Sequence, residues 1–271
     1  MLPIKLSIAI VLCAGFAVPL YADEPANSSK EKSMKFANPS QGYVIRRGKE
    51  RGFFDHGWLK TYHTFSFADY HDPDFMGFRS LRVINEDTVS PGKGFPTHAH
   101  NNMEILTVVL EGAIAHKDSM ENERVVHEHE IQAMSAGTSV THSEYNPSKS
   151  KKSHFLQIWI TPDQKGIKPR YQQTNLPQKE NEWVLLASKT GENGSLQVQQ
   201  DVKVYMLTLT PGHEMKKDLD SDRYGWIQVI EGTIQFNKET LHPGDGVALD
   251  HGTAAAFSAS RPAKILFFDL N

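Results

Sequence analysis

From about Phe36 to the C-terminus, apolar positions come in short runs at strand spacing, with few stretches of helical periodicity. Residues 81–84, 105–110, 155–160, 204–209, 226–230 and 265–268 are rich in Val, Ile, Leu, Thr and aromatics, and Gly, Pro, Asn and Asp separate them. Many short strands divided by turn residues predict an all-β chain built as barrels or sandwiches. The polar stretch 163–182, with Pro162, Pro169 and Pro177 beside or inside it, is expected to link two β-rich halves.

The halves are related. Residues 91–112 and 211–232 match at an offset of 120 without a gap. Each opens on Pro-Gly (Pro91-Gly92, Pro211-Gly212), and in each an apolar strand runs into Glu-Gly (Glu111-Gly112, Glu231-Gly232). A duplicated barrel is the simplest explanation, with barrels expected over 36–162 and 183–271. Because Glu-Gly turns are common in hairpins, chance similarity of two strand-turn segments is the competing explanation.

The first residues read differently. Lys5 precedes a nearly continuous apolar run from Leu6 to Leu20, and Asp23-Glu24 follows. That profile predicts a signal peptide over 1–22, a flexible mature N-terminus over 23–35, and an exported protein, periplasmic or secreted. An uncleaved anchor is the alternative, although the run is short for a membrane span of about 20 residues. The single cysteine, Cys13, lies inside this run, so the mature chain is expected to have neither a disulfide framework nor thiol chemistry. Composition adds little: 39% hydrophobic and 23% charged residues describe an ordinary globular protein. A net charge of -3 gives no electrostatic reason to expect a nucleic-acid partner or an anionic membrane surface.

The candidate chemistry lies in the first half. His98-Ala99-His100 has i, i+2 spacing, which on a strand turns both imidazoles to one face with Cα atoms roughly 6–7 Å apart. A second such pair, His127-Glu128-His129, sits in the charged run 121–130 and reads as a solvated loop or strand edge. Further on, Val140-Thr141-His142-Ser143-Glu144 carries a His and a carboxylate at the same spacing. Facing strands would thus present three imidazoles and a carboxylate to a barrel interior, leaving positions open on a six-coordinate ion. His142 and Glu144 equally fit a buried, mutually hydrogen-bonded structural pair. Glu104 is expected near the His pair on the return strand, supporting it without binding the ion, with a core salt bridge as the alternative. In the second half, Asp218 and Asp220 occupy the positions of His98 and His100; with His251 they offer at most a weak site for a hard cation, and solvated carboxylates are the plainer reading.

These residues are recognisable as a set. His98-Ala99-His100 with Asn101-Asn102-Met103-Glu104-Ile105-Leu106-Thr107 and Leu110-Glu111-Gly112 resembles the first motif of the pirin family. So do Gly57-Trp58-Leu59, His63-Thr64-Phe65-Ser66-Phe67, Met134-Ser135-Ala136-Gly137, His142-Ser143-Glu144-Tyr145-Asn146-Pro147 and Gln157-Ile158-Trp159-Ile160. The resemblance implies a bicupin, two cupin (jelly-roll β-barrel) domains in tandem. It implies one divalent transition metal, usually iron as Fe(II), on His98, His100, His142 and Glu144 of the N-terminal barrel. Donors of this kind also suit Mn, Ni, Cu or Zn.

Bacterial members similar to quercetin 2,3-dioxygenases open the flavonol ring with dioxygen and release carbon monoxide; animal members are nuclear cofactors. The expectation is therefore an enzyme taking a flavonol-like aromatic and O2, with Glu144 as the catalytic base. A non-catalytic metal or redox sensor that binds a partner, and a bicupin keeping metal only for stability, are the alternatives. Phe65, Phe67 and Phe95 are candidates for an aromatic wall. Two departures from the family pattern are the export signal and Arg79-Ser80, where bacterial quercetinase-like members usually carry Gly-Pro.

Overall fold

The computed structural model describes residues 42–271; the expected signal peptide and the segment 23–35 lie outside them. Among these residues, apart from two short 3-10 turns, Gly48–Glu50 and Glu192–Gly194, the regular structure is strand. Among the described residues no helix is long and apolar enough to cross a membrane.

Two barrels follow one plan, each a seven-stranded sheet facing a four-stranded one. In the first, the large sheet runs in the order Arg170–Asn175, Glu130–Ser135, Glu104–Glu111, Ser153–Ile160, Leu81–Val89, Leu59–His63, Gly52–Asp55. The small sheet runs Gly94–His100, Val140–Tyr145, Ala113–Asp118, Glu123–His127. The second barrel repeats the arrangement: Glu104–Glu111 and Tyr224–Glu231 hold the same place in their sheets, as do Gly94–His100 and Glu214–Asp218. These pairs are the segments related by the offset of 120, so the sequence repeat is a repeat of structure.

Two edge strands lie where the sequence does not suggest them. Tyr43–Arg46, within the span expected for the first barrel, pairs antiparallel with Gly246–Leu249 of the second. Arg170–Asn175, within the span expected as linker, pairs with Glu130–Ser135 of the first. The segment 163–182 is thus partly sheet. An edge strand has one hydrogen-bonded neighbour and an open side, so it needs little hydrophobic alternation to be stable.

The barrels pack large sheet against large sheet. Strand alternation turns Leu106, Val108, Leu156 and Ile158 toward Val204, Trp226 and Phe268 in one continuous core. Trp226 is fully buried there, its ring 4.8 Å from that of Phe65. The other faces line the two interiors, which differ in kind. The second is filled by Phe236, Phe257, Phe267, Ile227 and Leu249. The first keeps apolar clusters but also encloses buried Thr107, His116, Gln132, His142 and Glu144. Buried polar groups need partners, and a polar barrel interior beside an apolar twin marks where chemistry is placed.

Candidate metal centre

The site begins with an irregular edge. Strand Gly94–His100 pairs antiparallel with Val140–Tyr145, bringing His98 opposite His142 and Val140 opposite His100. The register then slips, so that Glu144 faces Phe95: the outer strand spends one residue more, a β-bulge. Pro96 sits in the bulge, at a sheet edge, where a missing N–H costs no ladder bond. Gly94 makes the approach possible, because a Cβ there would lie 2.1 Å from the carbonyl oxygen of Glu144.

This register gathers three imidazoles. Ring centroids lie 4.4 Å apart for His98 and His142, and 4.9 Å apart both for His98 and His100 and for His100 and His142. Each ring offers a nitrogen within 4.8 Å of the others. The Pro96 carbonyl accepts from Nδ1 of His98 at 2.8 Å, fixing the proton there and leaving Nε2 as the lone pair. Burial, reinforced by the charge of neighbouring histidines, holds His100 down to about 3 and His142 to about 2, so both are neutral and able to ligate at neutral pH. Trp159 packs edge-on against His100, centroids 4.9 Å apart, and Phe67 against Trp159 at 5.3 Å.

Glu144 joins His142 in a further set of donors. Its carboxylate, with His142 and His116, forms a second group of donors within 4.8 Å of one another, so His142 belongs to both groups. The amide of Gln157, from the opposite sheet, donates to both Glu144 oxygens at 3.1 and 3.0 Å, and Thr107 donates to the Gln157 carbonyl at 3.1 Å. Gln157 therefore anchors the carboxylate in one orientation. Nearby, burial raises Asp87 to about 7, with help from the charge of Glu144.

The residues fit a metal on this chain's own terms. His142 Nε2 is a buried ring nitrogen without a hydrogen-bond partner among the described residues, on the imidazole that both donor groups share. Neutral imidazoles with a carboxylate are donors suited to first-row divalent ions.

Several expectations change. The strands carrying His98 and His142 are neighbours in one sheet, not partners facing across the barrel. Glu104 is not beside the His pair: after Asn101-Asn102 the chain crosses to the large sheet, and Glu104 accepts a 2.7 Å hydrogen bond from Ser135 there. It shares a strand face with Leu106 and Val108, which point to the second barrel. Phe65 belongs to the inter-barrel core and Phe95 packs on Trp58, so of the three aromatic candidates only Phe67 adjoins the histidines through Trp159. His127, Glu128 and His129 are exposed at a hairpin, and so are Asp218, Asp220 and His251 in the second barrel. His116, Asp118 and Gln157 were missed as site residues; the i, i+2 spacing of His116-Lys117-Asp118 after the Glu111-Gly112 turn is the signal that could have found the first two.

Comparison with known proteins agrees with this geometry. The Pirin family profile matches residues 44–160, and that of the quercetinase C-terminal cupin domain matches residues 185–270. The chain is 44% identical over 226 residues to a quercetin 2,3-dioxygenase of Escherichia coli strain K12, covering 83% of this chain and 97% of that one. It is 35% identical to a pirin-like protein of Caulobacter vibrioides, covering 80% and 95%. Among solved structures, YhhW from Escherichia coli superposes with a TM-score of 0.82 at 44% identity, covering 84% and 97%. The bacterial pirin YhhW in complex with nickel(II) superposes at 0.81 with 43% identity, covering 84% and 98%. With both barrels matched and most of the chain aligned at such identity, the chain is a member of the pirin family and a bicupin.

Proposed function

We propose that the protein is a metal-dependent dioxygenase of the quercetinase type, opening a flavonol-like ring with O2. The carrying observation is the convergence of His98, His100 and His142 within 4.8 Å beside a carboxylate, Glu144, held by Gln157. Similarity to a quercetin 2,3-dioxygenase supports the substrate class, and the nickel(II) complex of a relative supports a bound divalent metal. Iron as Fe(II) is the expected ion, with Ni, Mn, Cu or Zn compatible with the donors. When bound, the ion supplies Lewis acidity toward an enolate and an electron path toward dioxygen.

The chain's own residues do the rest. The three imidazoles hold the ion, and the neutrality of His100 and His142 avoids competition from protons at neutral pH. Glu144 takes the proton of the flavonol 3-hydroxyl, acting as base from an orientation Gln157 enforces. Trp159 and Phe67 offer an aromatic boundary against which a planar substrate can stack. We propose in addition that the reaction runs outside the cytoplasm, since residues 1–22 have the profile of an export signal.

The test is Glu144→Gln. It is expected to keep its metal and to lose at least 100-fold in flavonol consumption, while the wild-type chain consumes one O2 for each carbon monoxide released. Equal turnover in the two proteins would remove Glu144 from the chemistry.

A further inference from the structure

The donor group of His116, His142 and Glu144 is ordered by a carboxylate behind it. Asp118 accepts from Nε2 of His116 at 3.0 Å, both side chains fully buried. The same carboxylate also accepts from the backbone N–H of Met120 and of Asn122, and from the Asn122 amide. A carboxylate taking this many donors is an acceptor only, so the proton between it and His116 lies on Nε2 of the imidazole. With that ring proton on Nε2, the nitrogen of His116 left to accept is Nδ1. That atom faces Nδ1 of His142 at 3.4 Å, with the Gln132 amide also directed at it from 3.4 Å. Between two Nδ1 atoms one must donate, and His116 has no proton there to give. His142 therefore carries its proton on Nδ1, which leaves Nε2, the buried nitrogen without a partner, as its lone pair.

We propose that His116 and Asp118 form a positioning relay, His142 Nδ1–H to His116 Nδ1 and His116 Nε2–H to Asp118, which fixes the tautomer of His142 and presents its Nε2 to the ion. The strand register builds it: His142 is paired with Asp118 and Glu144 with His116, so the two histidines are diagonal neighbours on one sheet face. His98 reaches the same tautomer through the Pro96 carbonyl. The relay thus gives a metal histidine without a backbone acceptor the support that ligating histidines need, and losing such support typically costs 10–100-fold in metal affinity. The inference rests on the metal reading above and names what holds one of its ligands.

The experiment measures nickel(II) affinity by chelator competition on the full chain. Wild type is compared with His98→Ala, His116→Leu, His116→Asn and Asp118→Asn, and each metal-free protein is tested for folding by denaturant titration. His116→Leu fills the space but cannot accept, and is expected to weaken nickel 10–100-fold. His116→Asn keeps an acceptor oxygen near Nδ1 and is expected within about threefold of wild type. Asp118→Asn turns a donor toward Nε2, moves the His116 proton to Nδ1 and sets two N–H groups against each other, so it is expected to weaken nickel as His116→Leu does. On the zinc-loaded protein, long-range ¹H–¹⁵N correlations are expected to show His142 protonated on Nδ1 and His116 on Nε2. If His98→Ala loses nickel while His116→Leu and His116→Asn bind as wild type does, the relay is overturned and the pair is core structure only. Wild type that takes up no nickel overturns the metal reading together with it.

Discussion

His98 and His142 stand directly opposite each other on neighbouring antiparallel strands, ring centroids 4.4 Å apart, with a β-bulge immediately beyond them. Side chains on one strand face are locked to the register, so a slip at this pair would scatter the donors. The bulge shifts the register between His142 and Glu144, so that Glu144 faces Phe95 where an unbroken ladder would give Pro96; on the strand's other side the unbroken pairing with Ala113–Asp118 sets Glu144 opposite His116.

Gly94 is where that geometry is most exposed to substitution. In Gly94→Ala the new Cβ would meet the Glu144 carbonyl oxygen at 2.1 Å and the Tyr145 Cα at 2.5 Å, both backbone. The strands must part, at a cost of about 1–3 kcal/mol by analogy with overpacked cores. Equilibrium denaturation of the metal-free protein measures this; an unchanged midpoint would show that the edge strand yields freely.

Gln157 should separate metal binding from turnover. Gln157→Leu removes the amide that holds both Glu144 oxygens but leaves all three imidazoles in place. Metal content is expected to stay stoichiometric while kcat falls about 10–100-fold, the range for losing a partner that orients a functional group. Steady-state flavonol consumption with metal analysis decides it, and kcat within twofold of wild type would mean Glu144 needs no anchor.

Acid should destabilise the metal-free protein. Burial lowers His63 to about 4, His100 to about 3 and His142 to about 2, each below the ordinary value of 6.5. Below pH 6.5 the unfolded chain takes up protons at these sites and the folded chain does not, so stability present above 6.5 is lost as pH falls toward the folded values. The loss is on the order of 1 kcal/mol per pH unit for each imidazole that stays neutral. Asp87 acts with the opposite sign: raised to about 7, it stays protonated when folded and ionises when unfolded, so its contribution is lost as pH rises from about 4 to 7. Three imidazoles against one carboxyl predict a denaturation midpoint lower at pH 5 than at pH 7, and a steeper fall in Asp87→Asn. A flat profile, or a shallower fall in Asp87→Asn, would show these groups to be hydrated.

Much of this was legible in the chain, for physical reasons. The i, i+2 spacing of His98 and His100 puts both on one strand face wherever the strand lies, and the repeat at an offset of 120 survives because both barrels need the same turns. Which sheet a strand joins is set by distant partners. Glu104 therefore landed facing the second barrel, and Tyr43–Arg46 crossed to close it. Arg170–Asn175 hid in a polar segment because an edge strand buries little. His116 and Asp118 lay in an unremarkable stretch, and only the pairing with 142–145 turns them into neighbours of His142.

The most direct measurement follows quercetin loss under air as purified, metal-free protein is reconstituted with increasing equivalents of a divalent ion, beside His98→Ala. The expected result is activity rising linearly to one equivalent in the wild type and staying at background in the variant. A wild type that binds one ion and leaves quercetin untouched would contradict the dioxygenase reading and turn attention to metal or redox sensing; a folded wild type that binds none would remove the metal centre itself.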